Sequence, residues 1–363
     1  MFFQIYKILV YVASKASNIV MLFLLRTLIS LLPMFVFLAA LVFLDSFKLI
    51  RFRVVLLTIG AGGLAAVASF IGNNALLRLD GVDLRLYSRY GAPILEEVCK
   101  AIYAAYLIKA HRVGFMVDSA IHGFALGAGF ACIENIYYLQ SLSDPNILLW
   151  SIRGFGTAIM HGGTTAIFAI VAKNAADRQA ATSWRVFLPA LGMAIALHSF
   201  FNHFFLPPIL SMLVLLLILP LLLLIIFHRS EKAARAWLEV GFDTDRELFE
   251  LITGAQMSAS KIGVYLQALR KSFAPEVIVD LMCYLRLHLE LSIKAKGLLL
   301  MREAGLRPAP DPEIQNAFAE LQYLKKSLGK IGMLAISPFL SASSRDLWQL
   351  QMLQETPAAL RKT

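Results

Sequence analysis

Pro-Ile-Leu-Ser-Met-Leu-Val-Leu-Leu-Leu-Ile-Leu-Pro-Leu-Leu-Leu-Leu-Ile-Ile-Phe, residues 208–227, runs from end to end without a charged side chain. A bilayer hydrocarbon core is about 30 Å thick, and a helix needs about 20 apolar residues to cross it. In lipid the backbone must satisfy its own hydrogen bonds, so a stretch of this kind is a helix. The same test applied upstream finds further segments at roughly 27–45, 54–72, 94–110, 115–139, 147–172 and 185–206. The composition agrees, since 58% hydrophobic and 16% charged residues make a chain of 363 residues too apolar for a water-soluble globule. The expected fold is all-α: a polytopic transmembrane helix bundle of about seven spans over 27–227. After His228 the pattern turns to mixed charge at helical spacing, which predicts a water-exposed helical region over 228–363. Residues 1–26 are apolar but carry Lys7 and Lys15, which predicts a helix lying in the membrane interface.

The net charge of +10 could suggest nucleic acid as a partner. The placement of the basic residues points elsewhere. Lys48, Arg51 and Arg53, then Lys109 and Arg112, then Lys173, Arg178 and Arg185, then Arg229, Lys232 and Arg235 fall on alternate connections between spans. Such loops face the cytoplasm, so the C-terminal region is expected there too. Arg78, Arg85 and Arg89 run against that order. The expected partner surface is the lipid bilayer, with no nucleic acid; oligomeric state is not encoded in any feature of the chain. Cys99, Cys132 and Cys283 show no CxxC spacing, so neither a disulfide framework nor a thiolate zinc site is expected.

Ionisable groups at membrane depth are costly and mark functional sites by default. Gly-Ala-Pro-Ile-Leu-Glu-Glu-Val-Cys-Lys, 91–100, places Glu96, Glu97 and Lys100 at the mouth of the third span, with Pro93 in a first helical turn. Glu134 and Tyr138 lie near the outer end of the fourth, His161 about halfway along the fifth, and His198 and Asn202 near the outer end of the sixth. Glu96 with Lys100, Glu134 with Tyr138, and His198 with Asn202 are each one turn apart, so each pair projects from one helix face. Four helices thereby present carboxylates, imidazoles and an amide to one level of the bilayer. That set suits hydrolysis in a restricted water pocket: a carboxylate takes a proton from water while His or Asn donors stabilise an oxyanion. Asp118 and His122 are also one turn apart but lie toward the other end, where they read as a buried pair. Gly123-x-x-x-Gly127 reads as a close-packing motif.

Glu-Glu-x-x-Lys at 96–100, Glu-x-x-x-Tyr at 134–138, the histidine of the fifth span and His-x-x-x-Asn at 198–202 resemble the motifs of the PrsW family of intramembrane proteases. That family is related to the CAAX prenyl endopeptidases and bacteriocin-immunity-type (CPBP) membrane proteases. The resemblance covers about residues 30–227. It implies a glutamate-type endopeptidase of the bacterial inner membrane that cuts a membrane-anchored protein, such as an anti-sigma factor, in a signalling cascade. By position, Glu96 and Glu97 match the family's essential pair, and His161, His198 and Asn202 its later polar motifs. Lys100, Glu134 and Tyr138 would support them; Ile133 stands where the family usually has Phe. No cofactor is expected on this reading. A zinc-dependent version would draw its ligands from Glu97, Glu134, His161 and His198, although no His-Glu-x-x-His supplies a local ligand pair. Two readings from other classes share the residues: a transporter or proton relay, and a non-catalytic membrane scaffold.

Overall fold

The computed structural model describes residues 2–45, 47, 50–142, 146–178, 183–254, 257, 260–306, 311–340 and 344–360, with only the backbone of 2–19, 344 and 355–360. Lys48, named above among the loop residues, lies outside these. In chain order the helices are α1 Phe2–Leu44, α2 Phe52–Leu77, α3 Leu84–Leu86, α4 Ala92–Lys109, α5 Met116–Ser141, α6 Ile147–Ser151, α7 Ala158–Asp177, α8 Leu188–Asn202, α9 Pro208–Thr253, α10 Lys261–Leu269, α11 Pro275–Glu303, α12 Glu313–Ile336 and α13 Ser344–Leu360. Two stretches of π-helix, Tyr87–Gly91 and Ile152–Thr157, join α3 to α4 and α6 to α7. No strand occurs among the described residues, and the chain is an all-α polytopic bundle.

Among the described residues six helical stretches are long and apolar enough to cross a bilayer: Val20–Leu44, Phe52–Leu77, Met116–Ser141, Ile147–Asp177, Trp184–Asn202 and Pro208–Thr253. The third of the seven expected spans does form, as α4. It is not among the six, because Glu96, Glu97, Lys100 and Lys109 fall within its 18 residues. Two expected boundaries leave no break in the backbone. Helix α1 runs through residue 26, and α9 continues past residue 227 for a further seven turns of polar sequence.

The chain divides into two compact units. One comprises Met1–Asp45, Leu49–Tyr106 and Met116–Phe227; the other comprises Ser46–Lys48, Leu107–Phe115 and His228–Thr363.

In the first unit α5 is the centre. Within its membrane-length window 83% of residues are buried, against 11% for α9, so α5 is walled by protein and α9 faces outward. Small residues let α5 lie so close to its neighbours. A Cβ added at Gly127 would overlap the His161 carbonyl of α7, and one at Gly129 would overlap the Ile59 carbonyl of α2. Gly127 thus keeps its expected close-packing role. Phe124, Ala125 and Ala128 fill the same core with Met34, Leu38 and Leu219. Asp118 and His122 are both buried, and His122 Nδ1 lies 3.1 Å from Thr58 Oγ1, away from the cluster described below.

In the second unit α11 begins at Pro275, as its N1 proline predicts, and Gly305 with φ +75° follows its end. Asp311 Oδ1 accepts the Glu313 N–H at the start of α12. A buried ion pair between Lys296 and Asp245 is shared with Ser292, whose hydroxyl also accepts a bond from Gln349 Nε2 at 2.7 Å. The turn between α4 and α5 belongs to this unit, and Phe115 meets Trp237 and Trp348 edge to face at 5.7 and 5.3 Å.

Candidate active site

Placement starts with Pro93. Its ring nitrogen has no hydrogen to give to the carbonyls one turn earlier, at Ser88 and Arg89, and the chain there winds as π-helix. Helix α8 supplies the missing donors: Ser199 Oγ to Arg89 O at 2.6 Å, and Asn202 Nδ2 to Ser88 O at 3.1 Å. The start of α4 is therefore tied to the end of α8. That tie brings Glu96 and Glu97 beside His198.

Glu97 is buried, and its Oε1 accepts three bonds: from Lys100 Nζ at 2.6 Å, His198 Nδ1 at 2.8 Å and Thr164 Oγ1 at 3.1 Å. Lys100 pairs with Glu97 three positions away and not with Glu96 four away, although spacing puts Glu96 and Lys100 on one helix face. With Nδ1–H committed to Glu97, His198 keeps the lone pair of Nε2 on the side of Glu96, whose Oε2 is 3.8 Å away.

His161 lies between two partners. Lys100 Nζ is 3.2 Å from its Nδ1, and Glu134 Oε2 is 2.8 Å from its Nε2. A lysine ammonium has only donors, so Nδ1 accepts and Nε2–H donates to Glu134. The two imidazole rings meet edge to face with centroids 4.8 Å apart, and Phe130 lies against the other side of His161 at 4.9 Å.

Glu134 also has Arg153 Nη2 at 3.4 Å. Arg153 sits in the second π-helical stretch, is held by Asn135 Oδ1 at 3.0 Å, and lies 3.8 Å over the ring of Tyr138. Asn135 is fixed in turn by its own bond to the Ser30 carbonyl of α1. Tyr138 thus reaches the site through Arg153, and Asn202 reaches it through the backbone of 88. His203, beside them, bonds Tyr90 through Nε2 at 3.0 Å.

The structure therefore brings Glu96, Glu97, Lys100, Glu134, His161 and His198 into one cluster and leaves Tyr138 and Asn202 at its edge. Sequence reading missed Arg153, Thr164 and Asn73, whose Nδ2 lies 3.4 Å from Glu96 Oε1 and whose Oδ1 accepts Tyr87 OH. Arg153 was within reach, since an arginine inside a 31-residue apolar helix carries the same depth signal as the glutamates. Thr164 and Asn73 carry no such signal, because neutral polar residues are common in spans.

Formal charge distinguishes the carboxylates. Lys100 serves Glu97 and Arg153 serves Glu134, while Glu96 has no lysine or arginine partner among the described residues. With both imidazoles neutral the cluster keeps one excess negative charge. Glu96, His161 and His198 also form a group whose ligand atoms all lie within 4.8 Å of one another. Two imidazoles and one carboxylate are a zinc donor set of the kind used in catalytic sites, and the Glu97 bond to His198 Nδ1 is the usual outer carboxylate that orients such a ligand. The donor chemistry fits a divalent cation. It differs from the set expected from sequence, because Glu97 and Glu134 are engaged by Lys100 and Arg153 and Glu96 takes their place.

Residues 51–226 match the sequence model of a family described as PrsW family intramembrane metalloprotease. No curated protein and no solved structure matches the chain.

Proposed function

We propose, for a chain whose residues 51–226 belong to the PrsW family of intramembrane proteases, that it hydrolyses a peptide bond of a membrane-anchored protein at the Glu96–His161–His198 cluster. The observation that carries this reading is the convergence of those three side chains from α4, α7 and α8, with no lysine or arginine in ion-pair contact with Glu96 among the described residues. A divalent cation bound by the three, zinc being the best match to the donors, would polarise the scissile carbonyl and make a water acidic enough to attack.

The chain's own residues have separable duties. Glu97 orients His198 so that Nε2 points to the reacting side, and Lys100 pairs with Glu97; its bond to His161 Nδ1 would give way where that nitrogen holds a cation. Glu134 holds the other nitrogen of His161, and Arg153 holds Glu134.

A second reading has its own observation. Both nitrogens of His161 are already satisfied by Lys100 and Glu134, so the site is complete without an ion. On that reading Glu96 itself takes the proton from water, and the mechanism is glutamate-type. Chelation separates the two. With purified protein in proteoliposomes, loss of cleavage on chelator treatment and its return with added zinc favours the cation; indifference to chelator with loss in Glu96→Gln favours the glutamate.

The resemblance further suggests an anti-sigma factor or similar signalling protein as substrate, in a bacterial inner membrane with the C-terminal region in the cytoplasm. Comparing membrane-fraction peptides from wild-type cells with those from Glu96→Gln cells tests the activity. A product lost in the variant supports it, and identical peptide sets refute it.

A further inference from the structure

A cavity of about 220 Å³ opens between α7, α8 and α9. Its wall includes Met160, Gly163 and Thr164 of α7, Phe201 of α8, and Val214 and Ile218 of α9. Among the described residues Thr164 and Ser211 are the only polar side chains lining it, and Ser211 Oγ bonds the Leu206 carbonyl. The rim is exposed at Leu197, Phe200 and Ile218, so the cavity opens sideways from the bundle, in the direction from which a spanning segment arrives.

Three features identify the occupant. First, the wall is continuous with the reactive cluster: Thr164 lines the cavity and donates to Glu97 Oε1, and Met160 immediately precedes His161. Second, a glycine fixes the wall at α7: Leu219 packs against Gly163 so closely that a Cβ there would come within 2.9 Å of Leu219 Cδ2. Third, the size is restrictive. An apolar cavity of about 150 Å³ accommodates benzene, so this one takes a single large side chain and excludes a whole helix. A lipid acyl chain is much longer than the cavity and gains nothing from ending against a hydroxyl bonded to a carboxylate.

We propose that this cavity is the subsite for one bulky apolar side chain flanking the scissile bond of a membrane-spanning substrate, selecting Phe, Leu or Met there over Ala or a charged residue. The inference rests on the proteolytic reading above and adds a determinant of specificity to it. Removing space by Val214→Phe or Ile218→Phe acts on the wall without touching Glu96, Glu97 or either histidine.

The test uses full-length protein in proteoliposomes with single-span reporter peptides that differ only in carrying Ala, Leu or Phe at successive positions near one membrane face. Cleavage is read by mass spectrometry. Wild type should prefer Phe or Leu over Ala at one position by about ten-fold or more in kcat/KM, and Val214→Phe should lower that ratio by about ten-fold. Equal loss on all reporters, or an unchanged ratio in both Val214→Phe and Ile218→Phe, overturns the subsite while leaving proteolysis standing. A second readout does not need cleavage: a photoreactive residue at position 218 in a Glu96→Gln background should cross-link the Phe reporter more than the Ala reporter. Adducts with lipid only overturn the proposal. Cross-linking of the Phe reporter, with no reporter cut by wild type, upholds the cavity as a side-chain subsite and refutes the proteolytic reading.

Discussion

Replacing Lys100 by Met removes the cation that Glu97 and His161 share. Both members of the Lys100–Glu97 pair are buried, at 0% and 1% side-chain exposure, and their contact is 2.6 Å. Removing one partner of such a pair leaves a charge with no water to solvate it and costs about 3–5 kcal/mol, whereas removing both together is often nearly neutral. For a domain of this size each kcal/mol corresponds to about 2–4 °C in Tm, so Lys100→Met should lower the unfolding temperature by about 6–20 °C. The double variant Lys100→Met with Glu97→Gln should recover most of that loss. Cleavage should stay absent in both, because His198 has lost its anionic partner in one and His161 its donor in each. The assay is thermal unfolding of detergent-solubilised protein for the single and double variants, with proteolysis measured in parallel. A fall of less than about 1 kcal/mol in the single variant, the range of an exposed pair, would refute the reasoning by showing that the pair is solvated.

Gly127→Val should separate α5 from α7, because its side chain would occupy the position of the His161 carbonyl; the overpacking costs about 1–3 kcal/mol and should weaken activity more than expression. Ser199→Ala and Asn202→Ala each remove one bond to the turn before α4, at about 0.5–1.5 kcal/mol, and should lower kcat by a similar modest factor. Complete loss in Asn202→Ala with a silent Ser199→Ala would mean that Asn202 touches the substrate instead. His288 in α11 is buried with Nδ1 lacking a hydrogen-bond partner, and burial holds its imidazole below the ordinary 6.5 despite Asp245 and Asp346 nearby. The unfolded chain binds that proton first as pH falls through 6.5, so the second unit is most stable above that value and loses stability on acidification. The hydrogen-exchange protection of Pro275–Glu303 in the full-length protein, taken relative to the intrinsic rate at each pH, should fall between pH 7 and pH 5, and His288→Leu should flatten that response.

The glutamates, histidines and Lys100 were legible in the sequence because charge and imidazole are rare at membrane depth. Their helix faces followed from spacing alone. Which partner each chose did not: Glu96 and Glu97 are one residue apart, and both are near enough to Lys100 to pair on a regular helix. The neighbouring helices decide it: His198 of α8 and Thr164 of α7 share Glu97 Oε1 with Lys100, and Glu96 is left on the Nε2 side of His198. Tyr138 was read as sharing a face with Glu134. That face is spanned by Arg153, which comes from a different helix and meets both residues only in the folded bundle.

The sequence by itself determined that this is a membrane bundle, because twenty uncharged apolar residues have one stable setting, and it determined which residue types the bundle carries at the level of the site. Tertiary structure alone decided which partner each of three carboxylates meets and the cavity beside them. Those depend on which helix faces meet and at what rotation, and side-chain pairing over 2.6–3.8 Å is sensitive to shifts that no one-turn spacing rule resolves.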